Sequence, residues 1–184
     1  MRLLAALVCC LLWAHPALAG ERPDPVPTRY GVGLLAGRAY DPDQFGLLIV
    51  QGQALLDYDR VAWHAAPDPL RLKLEGNLGI TTDGRHRGLL AVNALALYYL
   101  EGARVGRLLP YVEAGIGLIY TDFQVEGQGL RVNFNPQLGV GGEYRLADGG
   151  ALSLALRLHH LSNGKTYQEN RGINSALLMI GYLF

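Results

Sequence analysis

Between Leu70 and Leu78 the chain alternates without a break: Leu70, Leu72, Leu74, Gly76 and Leu78 are apolar or glycine, and Arg71, Lys73, Glu75 and Asn77 between them are charged or polar. The parity returns from Val132 to Leu146, where Phe134, Leu138, Val140 and Tyr144 alternate with Asn133, Asn135, Gln137, Glu143 and Arg145. It returns again from Pro110 to Tyr120, where Val112, Ala114, Ile116 and Leu118 share one face and Glu113 lies on the other. Successive strand side chains point to opposite faces, so this period of two describes strands with one apolar and one polar side. Sustained over about ten residues, it is the pattern of strands that cross a membrane in a closed sheet, lipid outside and polar groups within. Eight such segments are predicted, over 29–38, 44–56, 68–80, 88–100, 108–121, 131–146, 150–162 and 173–184. The expected fold is all-β, an eight-stranded antiparallel transmembrane β-barrel of the bacterial outer membrane.

Only closure satisfies every backbone group of a sheet in lipid, and a barrel of eight strands has an interior filled by side chains rather than a pore. Arg71, Lys73, Glu75, Glu113, Glu143, Arg145 and Arg157 fall on the inward parity and nearly balance in charge. An isolated buried charge is costly, so paired charges in the lumen are expected there rather than catalysis. An even number of strands puts both termini on the periplasmic side. The loops Asp41–Gln44, Thr81–Arg87, Asp122–Leu130 and Asn163–Gly172 then face the exterior, while Ala147-Asp148-Gly149-Gly150 has the chemistry of a tight periplasmic turn. The stretch Val61–Asp68 is long for such a turn.

The N-terminal residues fit export. Arg2, the apolar run Leu3 to Trp13 and Ala17-Leu18-Ala19 before Gly20 form a charged start, an apolar stretch too short to span a bilayer and an Ala-x-Ala cleavage site. Residues 1–19 are therefore expected to be a signal peptide and 20–184 the barrel, about 165 residues of the 184, enough for one domain. Both cysteines, Cys9 and Cys10, lie in the removed segment, which leaves no disulfide, thiolate nucleophile or cysteine-ligated metal. With 16 Lys and Arg against 16 Asp and Glu, the charge gives no sign of a nucleic-acid partner. No helical membrane span is expected, the apolar run Leu89 to Leu100 being interrupted by Asn93.

Reactive side chains gather at the end of the seventh segment and in the loop after it, from His159 to Asn174. Leu152, Leu154, Leu156 and Leu158 form a leucine face that must look at lipid, and His160 and Ser162 continue it, whereas Ala151, Ser153, Ala155, Arg157 and His159 face inward. In the last segment Asn174, Ala176, Leu178, Ile180, Tyr182 and Phe184 share one parity. If Gly150 faces Phe184 across the antiparallel ladder, His160 faces Asn174 on the outer surface. A His and a Ser two apart on one strand face can act as base and nucleophile in attack on an acyl carbon. Asn174 is placed to hold the imidazole tautomer through its side-chain carbonyl, a part that asparagine plays in some cysteine proteases. A His-x-Ser pair alone has an ordinary explanation, polarity returning at a membrane rim.

The run His160-Leu161-Ser162-Asn163-Gly164, followed by Asn170-Arg171-Gly172-Ile173-Asn174 and a terminal strand, resembles the PagL-type lipid A 3-O-deacylases. The likeness is strong over the last two strands and elsewhere extends to a barrel of matching size. It implies a serine esterase on the outside of an eight-stranded barrel that hydrolyses the ester-linked acyl chain at the 3-position of lipid A. Carried over, Ser162 is the nucleophile, His160 the general base, and Asn163 and Asn170 stand at positions around the oxyanion hole. The acidic triad position of the family matches Asn174, with Glu169 in the loop as an alternative acid. Gly164-Lys165 replaces a small residue followed by glycine, so Gly164 and Lys165 are both candidates for a backbone oxyanion donor.

Location and chemistry agree, since a lipid-facing site at the extracellular end lies in the outer leaflet, with acyl chains along the leucine wall. The expected partners are lipopolysaccharide as substrate and the surrounding outer-membrane lipids, and a homodimer is compatible with the sequence. Arg85, Arg87, Lys165 and Arg171 lie in exterior loops, where they can meet lipid A phosphates. No cofactor or metal is expected, because the loops lack carboxylates or histidines at ligand spacing and His64 and His86 stand alone. Two other classes fit the scaffold: a non-catalytic structural barrel, and another lipid-acting enzyme such as a phospholipase or acyltransferase.

Overall fold

A computed structural model describes residues 27–62 and 66–184. The expected signal segment and its cleavage site lie outside the described residues. The strands are β1 (Arg29–Asp41), β2 (Phe45–Asp57), β3 (Leu70–Thr81), β4 (Gly88–Tyr99), β5 (Leu108–Thr121), β6 (Val132–Phe134), β7 (Gln137–Arg145), β8 (Ala151–Leu161) and β9 (Ile173–Leu183). Each pairs antiparallel with its neighbours, and β1 pairs with both β2 and β9, so the sheet closes on itself. The fold is an eight-stranded barrel, because β6 and β7 are two parts of one stave.

The interruption between β6 and β7 has a simple cause. Phe134 lies opposite Ser162 and Gln137 opposite His159, the same offset on both sides of the gap, so register is unbroken. Between them Pro136 has no N–H to give to the ladder. Its carbonyl still accepts the N–H of His160 at 3.0 Å.

The alternation resolves into lipid and lumen as its parity requires. Leu152, Leu154, Leu156 and Leu158 are each about half exposed, while Ala151, Ser153, Ala155, Arg157 and His159 are buried. At the middle of the lumen four charges neutralise one another: Lys73 meets Glu75 and Glu113, both at 3.1 Å, and Arg157 meets Glu75 at 2.9 Å and Glu113 at 2.6 Å. Toward the end that carries the termini, Arg29 reaches Glu143 at 3.0 Å, and the Tyr99 hydroxyl donates to the same carboxylate. Two inward-parity charges stay outside these groups. Arg145 is exposed at the last residue of β7, and Arg71 donates to the carbonyls of Asp68 and Leu70, because both stand at the rim where water competes with a lumenal partner. Toward the other end the lumen becomes apolar, with Leu35, Ile49, Leu89, Ala91, Ile119 and Leu177 packed together. Hence β4 reads as apolar on both faces: Leu89 and Ala91 line this section and Leu95 and Leu97 are buried further along, while Leu90 and Val92 face lipid.

The long connection between β2 and β3 contains a helical turn, α1 (Tyr58–Ala62), in which Asp59 accepts the N–H of Ala66 at 2.8 Å. The extra length there is thus folded locally. At the opposite end, the connections β1–β2, β3–β4, β5–β6 and β8–β9 cluster together, away from both termini.

Candidate active site

The site stands where β8 runs out of the sheet. The register sets His160 against Asn174 of β9, both on the lipid face, and the imidazole Nδ1 lies 2.6 Å from the Asn174 side-chain oxygen. A carbonyl oxygen can only accept, so Nδ1 carries the proton and Nε2 is left as an acceptor. Ser162 follows two residues later on the same face, about 7 Å further along the strand, and is half-buried beside Phe134. Among the described residues, no hydrogen bond joins the Ser162 hydroxyl to the imidazole. Such bonds commonly close only when substrate is bound.

Glycine at position 172 is required by the imidazole itself. A Cβ there would stand 2.6 Å from Cε1 and 3.1 Å from Nε2 of His160, and 2.9 Å from the Leu161 carbonyl. The Cε1–Nε2 edge of the imidazole thus lies directly over this glycine.

The loop after Ser162 is built around Asn163, which is buried. Its side-chain nitrogen donates to the carbonyls of Glu169 at 2.6 Å and Gln128 at 3.3 Å, and its side-chain oxygen accepts the N–H of Lys165 at 2.9 Å. Its own N–H donates to the side-chain oxygen of Asn170 at 2.8 Å. These bonds distinguish among the candidate oxyanion donors. The Asn163 amide is spent inside the loop and so is the Lys165 N–H. The Gly164 N–H remains uncommitted among the described residues, and Asn170, its oxygen fixed by Asn163, turns Nδ2 away from that bond. Gly164 and Lys165 both have positive φ, 64° and 67°, a conformation that costs a lysine more than a glycine and that turns the chain sharply behind Ser162. Glu169 contributes its backbone carbonyl to this loop, and its exposed side chain is not the group at His160 Nδ1. Asn174 is.

Below the polar groups the surface is apolar. Leu158, Leu156, Leu138, Phe134 and Leu178 are all exposed on the neighbouring staves. They run from the level of His160 toward the middle of the barrel wall.

A sequence model described as lipid A 3-O-deacylase (PagL) matches residues 53–183, from the second stave to the last strand. The chain belongs to the PagL family. Membership makes it an outer-membrane hydrolase with lipid A 3-O-deacylase activity. Among solved structures, the outer membrane enzyme PagL is 22% identical with a TM-score of 0.63, covering 82% of this chain and 97% of the other. Neisserial surface protein A is 13% identical with a TM-score of 0.66, covering 85% and 95%. OprG of Pseudomonas aeruginosa is 13% identical with a TM-score of 0.53, covering 87% and 97%. At these identities the three structures establish the barrel fold. No curated protein matches the chain significantly by sequence.

For this PagL-family chain, reading the sequence missed one neighbour of the site. Asp41, the last residue of β1, accepts a hydrogen bond from Asn174 Nδ2 at 2.8 Å and pairs with Arg171 at 2.7 Å. Strand parity would turn Asp41 inward with Leu35 and Ala39. A bulge at Tyr40 shifts the register, so that Ala39 faces Ser175 and Asp41 faces Asn174. A bulge leaves no signal in an alternation read up to Arg38.

Proposed function

We propose that the deacylase works as a serine esterase in the outer leaflet, with Ser162 as nucleophile, His160 as general base and Asn174 as the group that orients the imidazole. The observation that carries this reading is the contact between His160 Nδ1 and Asn174 Oδ1 on the lipid face, with Ser162 continuing that face one residue beyond β8. It leaves Nε2 free to take a proton. Ser162 Oγ attacks the ester carbonyl carbon at the 3-position of lipid A as its proton passes to His160 Nε2. The oxyanion that forms is met by the N–H of Gly164 and by Asn170 Nδ2, held in place by Asn163. Collapse breaks the ester C–O bond, and the sugar hydroxyl leaves with the proton from His160. Water, deprotonated by the same imidazole, then cleaves the acyl-serine to release the fatty acid and restore Ser162.

The apolar wall supports the choice of substrate face. An acyl chain lying along Phe134, Leu138, Leu158 and Leu156 keeps its methylenes in the hydrocarbon region while its ester stays at the level of Ser162. The general rule that barrels of even strand number keep both termini on the periplasmic side supports a site in the outer leaflet, since this one is at the end away from the termini.

A fluorophosphonate ester tests the assignment, since it forms a covalent bond with an activated serine. Labelling of the purified barrel is expected at Ser162 in peptide mapping and is expected to be lost in His160→Ala. Labelling at a different serine, or equal labelling without His160, contradicts it.

A further inference from the structure

The Asn174 amide has two ends, and what fixes which end meets the histidine lies on a third strand. A neutral asparagine can present either oxygen or nitrogen to an imidazole. Presenting nitrogen would force Nδ1 to accept and Nε2 to carry the proton, which removes the base. The His160–Asn174 pair alone therefore does not define a working tautomer. Asp41 does: a carboxylate accepts and cannot donate, so the atom 2.8 Å from Asp41 Oδ2 must be Asn174 Nδ2. The oxygen of the same amide is then turned to His160, at 2.6 Å.

We infer that Asp41 is a positioning residue for deacylation: through Asn174 it sets the tautomer of His160 and supplies the negative charge that a carboxylate at position 174 would otherwise bring. This rests on the reading of Ser162 and His160 as nucleophile and base. The charge works at one remove. As His160 takes the serine proton and becomes cationic, the amide dipole polarised by Asp41 stabilises it. Arg171, 2.7 Å from the other carboxylate oxygen, keeps Asp41 aimed, and its own N–H donates to the Gly127 carbonyl at 2.7 Å. The Asp41 and Arg171 side chains are 44% and 50% exposed, so their ion pair contributes little to folding. The bulge at Tyr40 is what brings the carboxylate to this face, and functional sites are where such bulges are commonly found.

The test is a cycle of variants of the full mature barrel, assayed on lipid A. Asp41→Ala is expected to lower kcat by about tenfold, the low end of the loss known for outer groups that orient metal-bound histidines, with KM unchanged. In the N174D background the histidine has its carboxylate directly, and a carboxylate needs no second group to fix which atom faces Nδ1. There D41A is expected to leave kcat unchanged or raise it, because it also relieves repulsion between two adjacent carboxylates. A loss of equal size in both backgrounds, or none in the wild-type background, overturns the assignment while inactive Ser162→Ala leaves the site standing. Activity in Ser162→Ala removes the site and this assignment with it. Should N174D be inert, nitrogen NMR of histidine-labelled barrel still decides, with His160 assigned by its loss in His160→Gln. The wild type is expected to show the proton on Nδ1 and D41A a shift toward Nε2. An unchanged tautomer in D41A overturns the inference.

Discussion

The backbone N–H of Asn163, next in the chain after Ser162, donates to the side-chain oxygen of Asn170 at 2.8 Å. Since a backbone N–H can only donate, the Asn170 amide has its oxygen committed to the loop and its nitrogen turned the other way. Asn170→Asp separates the two ends. It keeps an acceptor for Asn163 and replaces the donor proposed for the oxyanion with a second acceptor. The loop is expected to remain folded while kcat falls by about 10²-fold or more, the scale of losing one oxyanion donor. Steady-state deacylation of lipid A by the purified barrel checks this, and an unchanged kcat would place the oxyanion elsewhere.

Gly172 gives a second, independent handle on the imidazole. A methyl group at 172 would stand 2.6 Å from His160 Cε1 and 2.9 Å from a backbone carbonyl, so the ring is the part able to move. With His160 as the proposed base, Gly172→Ala is expected to reduce kcat by about 10²-fold, the cost of displacing a catalytic group by about 1 Å. The barrel should keep its heat-dependent shift in gel mobility, because the position lies outside β8 and β9.

The lumenal charges are expected to matter for stability and not for chemistry. Lys73, Glu75, Glu113 and Arg157 form a neutral group of four, with side chains at most 4% exposed. Arg157→Leu leaves two carboxylates facing one lysine, and breaking a buried pair in this way costs about 3–5 kcal/mol. Urea titration of the refolded barrel should show a loss of that order. Barrels that do fold should retain wild-type kcat, since the group faces the opposite side of the wall from His160.

Most of this architecture was legible in the sequence because lipid and lumen impose opposite demands on alternate residues. The eight segments, the inward course of Glu75, Glu113 and Arg157, and the register that sets His160 against Asn174 all follow from parity and from counting back along β8 and β9. Where parity is broken, reading failed for physical reasons. Pro136 splits one stave into β6 and β7 without moving its register, which alternation alone does not reveal. The bulge at Tyr40 turns Asp41 from the inward to the outward face, and its contact with Asn174 depends on that extra residue. The uses of Asn163, Gly164 and Lys165 depend on loop hydrogen bonds between residues up to 35 positions apart, for which sequence spacing is no guide.

Mass spectrometry of lipid A from cells expressing the protein tests most directly the proposal that Ser162 is the nucleophile of deacylation. Expression of the wild type is expected to remove one ester-linked hydroxyacyl chain from the 3-position. Ser162→Ala, present in the outer membrane at the same level, is expected to leave lipid A intact, a fall of about 10⁴-fold or more in activity. Loss of the same chain in cells carrying Ser162→Ala would contradict the account.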